Sequence, residues 1–356
     1  MALPKGHCFN YFTIAGNLHP LESLLVYCLA LGVVFAPPEL KDLFWTNCLV
    51  QLCIFLPFVQ LPVALTGHMT YVDIGWPSGL VAIGVIALVC GTGDWWRRSL
   101  ISACYLLHGG RMALGALVLF GQATKFTFRF QEDLPRYCYA KYKWTKIEGM
   151  PARMWWLKMQ QETFGQGMSN CILLCLPAFL AAANPQPGLH LTECLGLATW
   201  LLGWIFESSA DAQKLAFVAE TKRLRYTGHP HACQSTLGMP PFEKYFLWRW
   251  CRHPNYFGEW MAWLGLAVAA APSLGQLAPK QFKAVWFCYL VALILIPRLL
   301  YDCLVHWTGA GPAEHFSVQK RPAYLQYQKE VRCFFPFPLP LEHHCKPGWP
   351  TFEQNR

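Results

Sequence analysis

The chain's densest run of chemically active side chains is Trp248-Arg249-Trp250-Cys251-Arg252-His253-Pro254-Asn255-Tyr256-Phe257-Gly258-Glu259-Trp260. Two arginines and a histidine precede a proline, a residue at home in the first turn of a helix. Guanidinium groups beside a helix N-terminus suit a phosphate, because the free N–H groups and the helix dipole both favour an anion. Glu259 follows inside an apolar stretch, where a carboxylate is costly and is read as functional by default. The plainer alternative is a membrane-boundary anchor with snorkelling arginines. Upstream, Glu207, Asp211, Lys214, Val218 and Lys222 keep helical spacing. Downstream, Lys320 and Arg321 precede Tyr324 and Tyr327. Metal chemistry is weakly indicated. The 16 cysteines are scattered without a CxxC pair and read as small apolar residues packed between helices. No four ligands have finger-like spacing. His229/His231 and His343/His344/Cys345 read as solvated loop residues.

These residues need elements to position them, and the composition says which kind. Of 356 residues, 54% are hydrophobic and only 14% charged, against about 25% charged in an ordinary soluble domain. Charge-poor runs near 21–38, 43–65, 74–93, 99–123, 164–183, 190–206, 256–275 and 283–304 are each close to the roughly 20 residues that cross a hydrocarbon core. The reading is an all-α, polytopic transmembrane helical bundle of about eight spans. Pro297 and Arg298 interrupt the last span. No signal peptide is expected, since Lys5 is followed by polar residues and Pro20. Three connecting stretches are long: the basic, aromatic 124–163 with Trp144, Trp155 and Trp156; 207–255, which starts as a helix and breaks at Gly228 and Pro230; and a tail from 305 with a short helical piece near 323–333.

With eight spans the two termini share a face with 125–158 and 214–252. That face carries 22 Lys/Arg, against 5 on the other (Lys41, Arg97, Arg98, Lys280, Lys283), with Arg111 and Arg298 inside spans. The rich face belongs in the cytosol or in an organelle matrix. Thirteen of the 22 lie in 214–252 and the tail, which makes that face the expected mouth of a pocket for an anionic cofactor.

Several strings occur in one order: Val72-Asp73-Ile74-Gly75-Trp76, Arg111, Glu132-Asp133-Leu134-Pro135-Arg136-Tyr137, Glu207…Asp211, Arg252-His253-Pro254-Asn255-Tyr256-Phe257-Gly258-Glu259, and Lys320-Arg321-Pro322 before Phe334-Phe335-Pro336. In this the chain resembles the steroid 5-alpha-reductase-like membrane proteins, specifically a bacterial and protist branch. The resemblance runs from about 71 to 338, dividing the chain into extra N-terminal spans (1–70) and a reductase-like membrane domain (71–356).

The resemblance implies an NADPH-dependent reductase of a carbon–carbon double bond conjugated to a carbonyl. It implies that Asp211, Asn255, Tyr327 and Glu259 contact the cofactor, with Glu207 standing where the steroid enzymes carry Asn. Cationic and polar neighbours complete the expected NADPH set: Lys214, Arg249, Arg252, His253, Tyr256, Lys320, Arg321 and Tyr324. The phosphates call for Arg and Lys; the amide and ribose hydroxyls call for Asn, Asp and Glu. Hydride delivery builds charge on the substrate oxygen, which needs a donor. Where the steroid enzymes use Glu and Tyr, this chain offers Asp73 and His108; the alternatives are a helix cap and a packing residue.

The expected partners are membrane lipids and a hydrophobic small molecule, with no nucleic acid. The expected location is the endoplasmic reticulum or the mitochondrial inner membrane. Two other readings remain: an accessory subunit of a larger membrane complex that keeps the fold, and an isoprenylcysteine-type S-adenosylmethionine-dependent methyltransferase. The methyltransferases share Arg-His-Pro-x-Tyr-x-Gly but usually carry a Glu-Glu pair after the last span, where this chain has only Glu314 in 308–329.

Overall fold

The computed structural model describes residues 32–228, 236–277, 283–321 and 323–337. Among these residues there are helices and no strands. Six helical elements are long and apolar enough to cross a membrane: Pro38–Thr66, Met69–Cys90, Trp95–Ala123, Ala152–Ala183, Pro254–Leu277 and Lys283–Lys320. The protein is an all-α polytopic membrane bundle. Two of the eight expected spans are not among the six. The stretch 21–38 falls largely outside the described residues. The stretch 190–206 is the start of a 36-residue helix, Leu191–Tyr226, that carries acidic Glu193 and Glu207 within its apolar part. His229/His231, Pro230 and His343/His344/Cys345 also lie outside the described residues.

The chain divides into two compact units. Of the described residues, the larger comprises those within 32–201 and 263–297. It contains α1 (Pro38–Thr66), α2 (Val72–Cys90), α3 (Trp95–Ala123), α4 (Pro135–Tyr142), α5 (Trp155–Ile172) and α6 (Leu176–Ala183). Small residues let α2 and α3 approach closely: a Cβ on Gly109 would sit 2.8 Å from the Pro77 carbonyl, and one on Gly84 would sit 3.0 Å from that of Ser102. Buried amides tie α1, α2 and α5 together. Asn47 Nδ2 donates to the Asn170 carbonyl (3.0 Å), Gln51 Nε2 to that of Gly79 (2.9 Å), and Asn170 Nδ2 to that of Trp76 (3.0 Å). In hydrocarbon such polar groups must pair internally, and each bond contributes about 0.6 kcal/mol. A break at 173–175 separates α5 from α6, and Tyr105 Oη donates to the buried Leu174 carbonyl there (2.5 Å).

Of the described residues, the smaller unit comprises those within 202–262 and 298–337. It holds most of α7 (Leu191–Tyr226), α8 (Leu247–Trp250), the start of α9 (Pro254–Leu277), the end of α10 (Lys283–Asp302), α11 (Ala310–Lys320) and α12 (Tyr324–Glu330). Its core gathers Ala210, Phe217, Leu237, Phe242, Tyr245, Leu247 and Trp248. Expected punctuation is present. Helix α9 begins at Pro254, and Gly228 has φ +69° just past α7. The interruption expected at Pro297 differs: α10 runs through that residue to Asp302 and passes into a π turn, Cys303–Trp307.

Candidate functional site

In the smaller unit, α7 and α9 meet at two glycines. A Cβ on Gly258 would lie 2.5 Å from Glu207 N, and one on Gly203 would lie 2.6 Å from Ala262 N. Only glycine permits this approach, and it sets the acidic and amide residues of the two helices side by side. One turn beyond Glu207, Asp211 Oδ1 accepts a hydrogen bond from Asn255 Nδ2 (3.1 Å). The other amide atom, Asn255 Oδ1, is buried with no hydrogen-bond partner among the described residues. Trp248 is held beneath by its indole N–H, which donates to the Ala210 carbonyl (3.1 Å).

Two cations flank this pair. Lys214 Nζ lies 5.8 Å over the Trp248 ring, and the Arg321 guanidinium lies 4.9 Å over the Phe217 ring. The Lys214 side chain is solvent-exposed, and nearby protein atoms surround it closely enough to desolvate its ammonium in part. Burial pushes its ammonium below the usual lysine range; Asp211 opposes this and Arg321 adds to it. Burial, and then Arg225, push Arg321 in the same direction. Arg249 and Lys320 are exposed, Glu259 is half-buried, and Glu207 is buried.

Arg252 and His253 are placed differently from the rest of the expected cofactor set. Both are buried, and both face Glu314 of α11. Arg252 Nε donates to Glu314 Oε1 (2.7 Å) and Nη2 to Oε2 (3.3 Å), while Nη1 donates to the carbonyls of Gln328 (3.1 Å) and Val331 (2.5 Å). His253 Nε2 is 2.8 Å from Glu314 Oε1, and Gln328 Nε2 donates to Oε2 (2.6 Å). The backbone repeats the attachment: Arg252 N donates to the Arg332 carbonyl (2.7 Å) and His253 N to that of Cys333 (3.1 Å). Here the two side chains fasten the tail to the start of α9. Their bonding capacity is taken by the protein's own carboxylate. Burial lowers the His253 pKa, which Glu314 opposes while Arg252 and Lys214 reinforce the fall.

His253, Glu314 and Cys333 offer ligand atoms within 4.8 Å of one another. The Arg252 charge already neutralises Glu314, so the group reads as an ion-pair network and not a cation site. Tyr256 stacks on His253, with centroids 5.2 Å apart and planes at 5°. Tyr327 is fully buried and donates its hydroxyl to the Trp248 carbonyl. Tyr324 packs edge-on to Tyr327 at 5.4 Å. Burial raises the pKa of both phenols, so they stay protonated.

His108 and Asp73 both belong to the larger unit. His108 is buried on α3, its ring edge-on to Trp263 at 6.1 Å. Asp73 lies in the first turn of α2, where the helix dipole favours an acid. It is ion-paired with Arg136 at the start of α4. The same corner holds Asp133, whose Oδ1 accepts from Thr70 N (3.1 Å) and Thr70 Oγ1 (2.9 Å) while Oδ2 accepts from Lys141 Nζ (2.6 Å). The Val72–Trp76 and Glu132–Tyr137 strings are thus clamped to one another.

Residues 61–331 match a protein family described as "Protein of unknown function (DUF1295)". The chain belongs to that family. No curated protein and no solved structure matches the chain. The DUF1295 match covers the Asp73–Arg136 clamp, the Asp211–Asn255 pair and Glu314, and ends within the tail that Arg252 holds.

Sequence reasoning gave Glu314 no place in the site of this DUF1295 protein. Its signal was slight, a single acid in 308–329. The supporting bonds of Gln328 and of Gln213, whose Oε1 accepts from Leu247 N (3.2 Å), carry no sequence signature.

Proposed function

We propose that this protein is a membrane-embedded, NADPH-dependent reductase of a conjugated carbon–carbon double bond in a lipid or steroid-like substrate. The observation that carries the proposal is the Asn255–Asp211 hydrogen bond with Lys214 and Arg321 beside it. Asp211 and Asn255, expected at a nucleotide from the likeness to steroid 5-alpha-reductases, and Lys214 and Arg321, expected there from the charge of the phosphates, come from distant stretches of the chain and belong to one unit. Their chemistry fits a dinucleotide. Lys214 and Arg321, with exposed Arg249 and Lys320, would hold phosphates. Asn255 Oδ1, buried and without a hydrogen-bond partner among the described residues, and the Asp211 carboxylate would meet amide and hydroxyl donors. Tyr327, Arg252 and His253 act here by holding the tail against α8 and α9. When bound, NADPH supplies the hydride. His108 is the candidate donor to the substrate oxygen. The location proposed is the endoplasmic reticulum or the mitochondrial inner membrane.

Turnover tests this reading. Purified protein in lipid nanodiscs should oxidise NADPH in the presence of enone lipids, and His108→Ala should slow that oxidation by about 100-fold or more.

One observation favours a second reading. Asp73 is ion-paired with Arg136, which gives it a structural role whether or not it also serves His108. A chain that keeps the fold and the nucleotide residues without turnover would serve as a subunit of a larger membrane complex. Isolation as a stable monomer that reduces enones would exclude that role as its sole function; NADPH binding without turnover would support it.

A further inference from the structure

The segment joining α3 to α5 gathers at one end of the membrane helices of the larger unit. The Gly67–Tyr71 corner fixes it there. Lys141 Nζ donates to the Gly67 carbonyl (2.8 Å), the Tyr71 hydroxyl donates to the Phe128 carbonyl (3.0 Å), and the Tyr71 and Phe130 rings meet edge-on at 4.9 Å. Four membrane elements start or stop at this level, at Thr66, Met69, Ala123 and Ala152. At the end of α3, Phe126 N donates to the Gly121 carbonyl (2.6 Å) and Phe128 N to Thr124 Oγ1 (3.1 Å). The chain therefore turns sharply and stays near the helix ends.

Charge in this segment is sorted by burial. Asp133 is taken up by Thr70 and Lys141, and Arg136 by Asp73. Lys125, Arg129, Lys143, Lys146 and Arg153 are exposed, against two exposed acids of the segment, Glu132 and Glu148, the latter 3.9 Å from Lys143 Nζ. Phe126, just past α3, is 71% exposed, and Trp156, in the first turn of α5, is 55% exposed. Exposed rings at helix ends settle at the headgroup level of a bilayer, and cations just beyond them lie among lipid phosphates. A topology signal alone would need only the positive charge. Here the buried acid Asp133 is paired internally, cations outnumber acids on the exposed side, and two rings face outward beside them.

We propose that this surface binds anionic phospholipid headgroups of the adjoining leaflet. Native mass spectrometry of the full-length protein, loaded with phosphatidylglycerol or phosphatidylcholine, tests it. The wild type is expected to retain phosphatidylglycerol at least about tenfold better, and Lys143→Gln/Lys146→Gln/Arg153→Gln to reduce that preference to about twofold. A control removing equal charge elsewhere, Lys222→Gln/Arg223→Gln/Lys329→Gln, should leave the preference intact. Should the first variant fail to fold, salt decides on the wild type alone: raising ionic strength from about 0.05 M to about 0.5 M must erode the preference. Equal retention of both lipids by the wild type, an equal loss in the control, or a preference indifferent to salt would each overturn the proposal.

Discussion

Glu314 shows how far residue type can mislead about role. Arginine and histidine ahead of a helix N-terminus point to an anion, and the anion that Arg252 and His253 meet is Glu314, supplied by the chain itself about 60 positions downstream. Sequence spacing cannot reveal so remote a partner. Losing one member of a buried charge pair strands the other, at a cost of about 3–5 kcal/mol. Glu314→Gln should therefore lower stability by that order in thermal unfolding, and a loss under about 1 kcal/mol would contradict the assignment. His253 adds a pH dependence. Its folded-state pKa lies below the ordinary value of 6.5, so the unfolded chain binds a proton that the folded one resists. Its contribution is present above about pH 6.5 and declines as pH falls below that value. The unfolding temperature should drop between pH 7 and pH 5, and His253→Gln should flatten the drop. Asp211 and Asn255, in contrast, were legible. Both were expected at the same ligand, and they hydrogen-bond to each other.

Among the elements, the six membrane helices were legible because length and missing charge are sufficient to identify a span. Helix α4 was not, because eight residues within a basic loop carry no apolar run of that kind. The extent of α7 was hidden as well, since its first part reads as a span and its second as a polar helix, with no breaker between them before Gly228. The motif strings at 72–76 and 132–137 were noticed without a reason for their composition; pairing of Asp73 with Arg136 and of Thr70 with Asp133 supplies one. Arg136 is partly exposed, so Asp73→Asn should cost at most about 1 kcal/mol. Asp133→Ala, which orphans Thr70 and Lys141, should cost about 2–3 kcal/mol in the same unfolding measurement. If instead Asp73→Asn abolishes turnover while stability holds, Asp73 is part of the catalytic machinery. Where α7 meets α9, Gly258→Leu should cost about 1–3 kcal/mol or more, because backbone cannot yield to the new side chain. It should also weaken nucleotide binding by shifting Asn255 away from Asp211.

At the scale of the whole molecule, composition alone identified a membrane protein, and the counted charge was its second message. That count needs a structural correction. Arg97, counted on the poor face, is buried with Glu193 at 2.5 Å and donates to the Asn184, Gln186 and Gly188 carbonyls. Arg252 is likewise internal. Counting cannot separate such residues from those that face lipid phosphates or a nucleotide, because both look alike until the fold pairs them. Lys214 and Arg321 lie in the same unit as the Asp211–Asn255 pair, over the Trp248 and Phe217 rings, and are the cations proposed to meet the nucleotide.

The central claim is that this pair forms part of a dinucleotide site, and equilibrium titration of the purified full-length protein tests it most directly. NADPH should bind with a dissociation constant in the micromolar range or tighter, S-adenosylmethionine should not compete, and Asn255→Ala should weaken NADPH at least about tenfold, the value of one buried hydrogen-bonding group. Folded wild-type protein that fails to bind NADPH, or an Asn255→Ala variant that binds it unchanged, would contradict the account.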